Sequence, residues 1–92
     1  MSIKIMRFTA EWCEVCADYL PTFVKVMSEF PDAVVESYDI ETDDGVEMAS
    51  DFGITGVPTT IVVDDAGYQI KVGNVPYQVL KEMLDERSTI TD

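Results

Sequence analysis

The sequence predicts an α/β fold in the order β-α-β-α-β-β-α, with a four-stranded mixed sheet covered by helices on both faces. Short β-branched apolar runs alternate with segments of helical periodicity, and the last two apolar runs are separated only by a turn. The chain has 92 residues, which suffices for one hydrophobic core. We therefore expect a single domain over residues 1–92.

The first half of the chain contains a strand, a helix and a second strand. The apolar run Ile3 to Thr9 predicts the first strand. A helix then starts at Cys13 and stops before Pro31, with Pro21 inside it as a source of a kink. Its predicted buried stripe is Cys16, Leu20, Phe23, Val24 and Met27. Val34 to Ile40 returns to a β pattern.

The second half begins with a short helix, for which Asp43 and Asp44 offer N-cap carboxylates and Gly53 a C-terminal stop. Its predicted apolar face is Val46, Ala49 and Phe52. Thr59 to Asp64 is a third strand, and the three-residue turn Asp65-Ala66-Gly67 predicts an antiparallel hairpin. The fourth strand alternates Tyr68, Ile70 and Val72 with polar residues.

The last helix is predicted to be capped by Asn74, with Pro76 in its first turn. Its inward-facing residues are Val79, Leu80, Met83 and Leu84. We expect residues 88–92 to form a frayed tail.

The charge of the chain limits its partners. Six basic and 18 acidic residues give a net charge of −12, which argues against binding to nucleic acid or to an anionic membrane. No apolar run approaches the roughly 20 residues of a membrane span, and the start lacks a secretory signal, so we expect a cytoplasmic protein. All charged residues between Lys25 and Lys71 are acidic, which suits either a solubilising surface or a docking face for a basic partner.

The two cysteines, Cys13 and Cys16, are three residues apart where the first strand leads into the first helix. A structural zinc site needs about four ligands, and the sequence has no histidine and no further cysteine, so we expect no metal unless two chains share one. A disulfide that closes so short a loop adds little stability. The pair therefore favours a bond that is made and broken.

The position of the two cysteines at the start of a helix predicts a role for each sulfur. Unpaired N–H groups and the positive end of the helix dipole stabilise a thiolate at Cys13, which makes it the attacking sulfur. Cys16 lies one turn further along the helix and is the resolving sulfur. It attacks the mixed disulfide at Cys13, releases the target and forms the Cys13–Cys16 disulfide.

These residues resemble the thioredoxin family. The resemblance covers nearly the whole chain, although thioredoxins usually carry a further N-terminal strand and helix, so it implies a short form of the thioredoxin-like three-layer sandwich. It is carried by Trp12-Cys13-Glu14-Val15-Cys16, Pro21, Val57-Pro58-Thr59 and Gly73.

The resemblance implies a substrate-binding surface formed by Trp12, Val57, Pro58 and Gly73. Val57–Pro58 would be a cis peptide beside the cysteines, and the Val57 backbone would pair with an extended substrate segment. Trp12 would be a flat apolar docking surface, the alternative being a core residue. The implied partners are disulfide-containing proteins and an upstream reductase, such as thioredoxin reductase or the glutathione system. The protein would act as a monomer with no cofactor besides its redox-active disulfide.

Arg7, Glu14 and Asp39 are candidates for tuning the cysteine pKa, because the chain departs from the family pattern at these positions. Glu14-Val15 replaces the usual Gly-Pro, and Glu14 either opposes the Cys13 thiolate or simply favours the helix dipole. Arg7 stands where thioredoxins have a buried aspartate. Because an unpaired buried charge is costly, we expect Arg7 to pair with Asp39, or else to reach solvent or another acid.

The sequence thus predicts an enzyme, a thiol-disulfide oxidoreductase that reduces protein disulfides. Two alternatives remain open at this point. One is a glutaredoxin-like reductase that depends on glutathione, and the other is a non-catalytic acidic interaction module.

Overall fold

The computed structural model describes residues 3–89 and has the predicted order of elements. The elements are β1 (Lys4–Thr9), α1 (Glu14–Ser28), β2 (Val34–Asp39), α2 (Asp43–Phe52), β3 (Thr59–Asp64), β4 (Gly67–Val72) and α3 (Tyr77–Thr89). The four strands form one mixed sheet in the order β2-β1-β3-β4. β1 runs parallel to β2 and antiparallel to β3, which is antiparallel to β4. The predicted fold class is confirmed.

The alternation of side chains along the strands divides the core into two layers. Ile5 and Val62 contact α1 and α3 on one face, whereas Met6, Phe8 and Ile61 contact α2 on the other. Each large apolar side chain that is fully buried in these layers contributes about 1.5–3 kcal/mol. The central strands β1 and β3 are therefore covered on both faces.

The helix α1 buries a different stripe from the one predicted. Its buried residues are Cys16, Tyr19, Phe23 and Val26. Leu20 and Val24, which we expected in the core, are 41% and 56% exposed. The periodic pattern allowed two neighbouring stripes, and the burial of the Tyr19 ring decides between them. Pro21 lies within the helix, as predicted.

The helix α2 is capped by Thr42 and not by the predicted carboxylates of Asp43 and Asp44. Thr42 Oγ1 accepts the N–H of Gly45 at 3.1 Å, and the two aspartates occupy the first turn. Val46 is 56% exposed, contrary to expectation. The helix ends at Gly53, whose φ of 67° is left-handed, as predicted.

The hairpin between β3 and β4 is tighter than predicted. Asp64 pairs with Gly67, so the turn has two residues instead of three, and the Asp64 carboxylate accepts the N–H groups of Ala66 and Gly67. The same carboxylate binds Arg87 of α3 at 2.6 Å. Burial alone would raise the pKa of Asp64, but the bond from Arg87 and the two turn N–H groups hold it below its usual value.

The helix α3 begins at Tyr77, so Pro76 directly precedes it and Asn74 lies before the helix. Of its predicted inward residues, Leu80, Met83 and Leu84 are buried, whereas Val79 is 36% exposed. Residues 88–89 of the predicted frayed tail belong to this helix. Residues 90–92 of that tail lie outside the described residues.

Candidate functional site

Cys13 and Cys16 are joined by a disulfide at the start of α1. Cys13 is the N-cap residue, with extended φ and ψ of −89° and 104°. Its Sγ accepts the N–H of Cys16 at 3.1 Å. Both side chains are buried, with 7% of Cys13 and 3% of Cys16 exposed. The local fold therefore places one sulfur at the helix terminus and the other beneath it.

The cysteine pair packs against residues from three other parts of the chain. Ala10, which follows β1, accepts the N–H of Cys13 through its carbonyl at 3.2 Å and packs in the same buried cluster. Ile40 after β2 and Val57 before β3 pack against that cluster. The pair therefore lies at the end of the sheet where β1 and β2 stop.

The loop before β3 brings Val57 and Pro58 to the cysteines. The Val57–Pro58 peptide bond is cis, and the Pro58 side chain is fully buried. Thr59 Oγ1 donates to the Gly56 carbonyl at 2.7 Å, and the Gly73 N–H donates to the Pro58 carbonyl at 2.8 Å. The bond from Gly73 joins the end of β4 to the proline loop, so Gly73 lies next to Pro58.

Trp12 is on the surface and not in the core, since 64% of it is exposed. It immediately precedes Cys13, and Val15, between the two cysteines, is 47% exposed. Glu14 is also exposed and lies in the first turn of α1, where a negative charge favours the helix dipole. The buried disulfide is thus flanked by exposed apolar side chains.

The predicted pair between Arg7 and Asp39 is wrong. Among the described residues no ion pair joins them, and Asp39 Oδ1 instead accepts the N–H of Glu41 at 2.8 Å. Arg7 pairs in register with Ser37, so Asp39 lies two residues further along β2. The Arg7 guanidinium carbon lies 5.5 Å from the centre of the Phe23 ring. Burial lowers the pKa of Arg7, an effect opposed by Tyr19.

The polar group beside Arg7 was not predicted from the sequence. The Tyr19 hydroxyl and Thr60 Oγ1, both on wholly buried residues, share a hydrogen bond of 2.8 Å. Burial raises the pKa of Tyr19, an effect opposed by this bond and by the Arg7 charge. The spacing of Tyr19 three residues after Cys16 was the available signal, because it places both on one helix face.

Two kinds of site are absent from residues 3–89, which the structure describes. Within this range no group of three or more acidic or cysteine side chains is arranged to hold a metal ion. No helix there combines the length and the apolar character needed to cross a membrane.

A disulfide at a helix start, beside a cis proline and on the end of a mixed sheet, defines the class of dithiol-disulfide oxidoreductases. The family model described as Thioredoxin matches residues 2–86. The chain therefore belongs to the thioredoxin family.

Individual relatives agree with this assignment. The chain is 29% identical to a putative thioredoxin 2 of Streptomyces coelicolor, over 89% of this chain and 60% of that protein. It is 30% identical to a disulfide bond formation protein of Brevibacillus choshinensis, over 92% of this chain and 73% of that protein. The structure of Fasciola hepatica thioredoxin shares the fold, with a TM-score of 0.79, 21% identity, and coverage of 92% of this chain and 80% of that chain.

Proposed function

We propose that this chain reduces disulfide bonds in other proteins, with Cys13 as the attacking sulfur and Cys16 as the resolving sulfur. The observation that carries the proposal is the N-cap position of Cys13, whose Sγ accepts the Cys16 N–H at 3.1 Å. N–H groups in a first helical turn have no acceptor within the helix. Their bonds to a thiolate, together with the helix dipole, stabilise the Cys13 thiolate in the reduced protein.

The reaction consists of two thiol-disulfide exchanges. The Cys13 thiolate attacks a target disulfide, forms a mixed disulfide and releases the other target sulfur, which takes up a proton. Cys16 then loses its proton and attacks the Cys13 sulfur, which releases the second target thiol and forms the Cys13–Cys16 disulfide. Two electrons pass to the target. The Cα atoms of the two cysteines are 5.2 Å apart, a separation that a disulfide spans.

The substrate surface in this proposal consists of Trp12, Val57, Pro58 and Gly73. Its support is their position: Val57 packs against the cysteines, and the bond from the Gly73 N–H to the Pro58 carbonyl holds the loop in place. An extended target segment pairs with the Val57 backbone, and exposed Trp12 gives it an apolar contact. This arrangement presents the target disulfide to Cys13.

The charges of Glu14 and Arg7 have opposite effects on the stability of a cysteine thiolate. Glu14 disfavours the adjacent Cys13 thiolate, whereas the Arg7 cation favours a thiolate. Arg7 stacks on Phe23, about 10 Å along the helix from Cys16, so its effect is long-range. The Asp39 carboxylate binds the Glu41 N–H, and its negative charge disfavours a thiolate.

The two sulfurs carry the electrons without a further cofactor in this proposal. The partners are disulfide-containing proteins and an upstream reductase, either thioredoxin reductase or the glutathione system. We place the protein in the cytoplasm, because a reducing compartment keeps the dithiol reduced. The name of the Brevibacillus relative indicates the opposite direction of electron flow for that protein.

The test is the reduction of insulin disulfides by dithiothreitol, followed as turbidity. The unaltered chain is expected to accelerate it, and Cys13→Ser is expected to abolish the acceleration. Cys16→Ser is the matched variant, since it keeps the attacking sulfur and removes only the resolving one. It is expected to accumulate a mixed disulfide with the target through Cys13, detectable by mass spectrometry.

Acceleration that survives in Cys13→Ser would refute the proposed nucleophile. A mixed disulfide formed through Cys16 in Cys13→Ser, with none in Cys16→Ser, would reverse the two roles. Supplying electrons first from thioredoxin reductase and then from glutathione with its reductase identifies the upstream donor.

A further inference from the structure

The strand β2 lies at the edge of the sheet and leaves peptide groups unpaired. All six of its residues pair in regular register with β1, without a bulge. The Val34 N–H donates to the Ile3 carbonyl at 2.8 Å, and the Ile40 N–H donates to the Thr9 carbonyl at 3.0 Å. Alternate residues of a parallel strand bond to the same neighbour, so the peptide groups of Val35 and Ser37 point away from β1.

On the α1 side of this edge lies an apolar groove. Its volume is about 410 Å³, and its lining is Phe23, Val24, Met27, Ser28 and Val35. Two of these side chains are well exposed, with 56% of Val24 and 42% of Val35 accessible. A groove of this composition accepts an aliphatic side chain.

On the α2 side of the same edge lies an acidic groove. Its volume is about 250 Å³, and its lining is Tyr38, Asp44, Glu47 and Met48. The Tyr38 hydroxyl donates to the Glu36 carboxylate at 2.8 Å, and Glu36 also forms an ion pair with Lys4 at 3.6 Å, so the negative charge of the groove comes from Asp44 and Glu47. This bond, burial and the charge of Asp44 raise the pKa of Tyr38. The groove therefore favours a cationic side chain.

We infer that the β2 edge is a docking site for an extended segment of a partner protein in which apolar and basic residues alternate. A strand added beside β2 takes the hydrogen bonds of Val35 and Ser37, and its side chains point alternately to the two faces. One set enters the apolar groove and the other meets Asp44 and Glu47. Because one groove is apolar and the other is acidic, the site favours a segment whose apolar and basic residues alternate one by one.

Charge selects such a segment over a second copy of this chain. Two β2 strands side by side would bring the acids of both acidic grooves together, in molecules that each carry a net charge of −12. A basic segment is attracted to the same surface. The strand also leads to Ile40, which packs against the cysteine cluster, so the bound segment points toward the disulfide. The docking itself needs no redox chemistry.

The test uses a capped six-residue peptide of alternating valine and lysine, which contains no cysteine. Binding is expected to slow amide hydrogen exchange at Val35 and Ser37, while Glu36 and Tyr38, whose N–H groups face β1, change little. The affinity is expected to fall as salt rises from about 0.05 M to about 0.5 M, because screening shortens the range of the attraction. A peptide of the same composition with its valines and lysines in separate blocks is the sequence control.

Variants of the protein test the same interaction from the other side. Ser37→Pro removes an outward N–H and leaves the ladder to β1 intact, so it is expected to abolish binding. Should Ser37→Pro fail to fold, a peptide N-methylated at alternate amides makes the same test on the unaltered protein. Glu47→Lys is expected to weaken binding by about twofold to about thirtyfold. Glu82→Lys, the same charge change on α3, is the matched control and is expected to have a smaller effect.

The proposal is overturned if the peptide leaves the Val35 and Ser37 amides unprotected, or if the block and alternating peptides bind equally well. Equal losses of peptide affinity in Glu47→Lys and Glu82→Lys would also overturn it, because net charge and not the acidic groove would then control binding. A dimer in sedimentation that protects the same amides without peptide would make a second copy the occupant. Insulin reduction is unaffected by any of these outcomes, so failure here leaves the proposed function standing.

Discussion

The buried hydrogen bond between Tyr19 and Thr60 allows a quantitative test of how α1 is held on the sheet. Both residues are completely buried, and their hydroxyl oxygens are 2.8 Å apart. The substitution Tyr19→Phe removes one hydroxyl and keeps the ring, which contacts Phe23 edge to face at 5.9 Å. Apolar packing is therefore preserved, and the buried Thr60 hydroxyl loses this partner.

The expected loss of stability follows from the unpaired Thr60 hydroxyl. Leaving a buried hydroxyl unsatisfied lowers the free energy of unfolding by about 1–3 kcal/mol. For a domain of this size each kcal/mol lowers Tm by about 4–8 °C. Thr60→Val alone is expected to cost a similar amount, because it leaves the Tyr19 hydroxyl unpaired. The double variant removes both polar groups and is expected to be close to the unaltered protein.

Urea unfolding of the oxidised protein, followed by far-ultraviolet circular dichroism, measures the four free energies. The sum of the two single costs is expected to exceed the cost of the double variant by about 2 kcal/mol or more, because each single variant leaves one buried hydroxyl unpaired and the double variant leaves none. Single costs that simply add in the double variant would show that the two hydroxyls do not depend on each other. That result would refute the argument from the buried bond.

Two further predictions concern the turn and the start of α2. Asp64 has a pKa below its usual value, so it stabilises the fold above about pH 4 and loses this effect as pH falls further. Asp64→Asn is therefore expected to flatten the fall in Tm between about pH 5 and pH 2, and equal slopes would contradict this. A Cβ on Gly45 would collide with the Asp39 carbonyl, so Gly45→Ala is expected to cost about 1–3 kcal/mol in urea unfolding. Gly56→Ala, where a Cβ meets no atom within 4 Å, is the control.

The order of elements could be predicted from the sequence because each element carries its own local signal. Glycine at position 53 ends a helix through its left-handed φ, and the β-branched run from Thr59 to Asp64 has the bounds that the structure shows. The cysteine pair at a helix start is equally local, since its spacing and the preceding strand are visible in the chain.

The partners of individual side chains could not be predicted, because they depend on contacts between distant segments. Asp39 was a plausible partner for Arg7 by charge, but the strand register sets the two residues apart. The aromatic ring that Arg7 contacts belongs to α1, and its placement depends on which of two helical stripes is buried. The two grooves beside β2 likewise combine residues of a strand with residues of α1 or α2.

The exposure of Trp12 has a practical consequence for spectroscopy of this protein. It is the only tryptophan in the sequence, it adjoins Cys13, and 64% of it is accessible. A neighbouring disulfide quenches indole fluorescence, so the emission intensity is expected to rise when the cysteines are reduced. Unfolding shifts the emission wavelength only slightly, since the ring is already hydrated in the native state. One intrinsic fluorophore therefore reports the redox state of the site almost separately from the integrity of the fold.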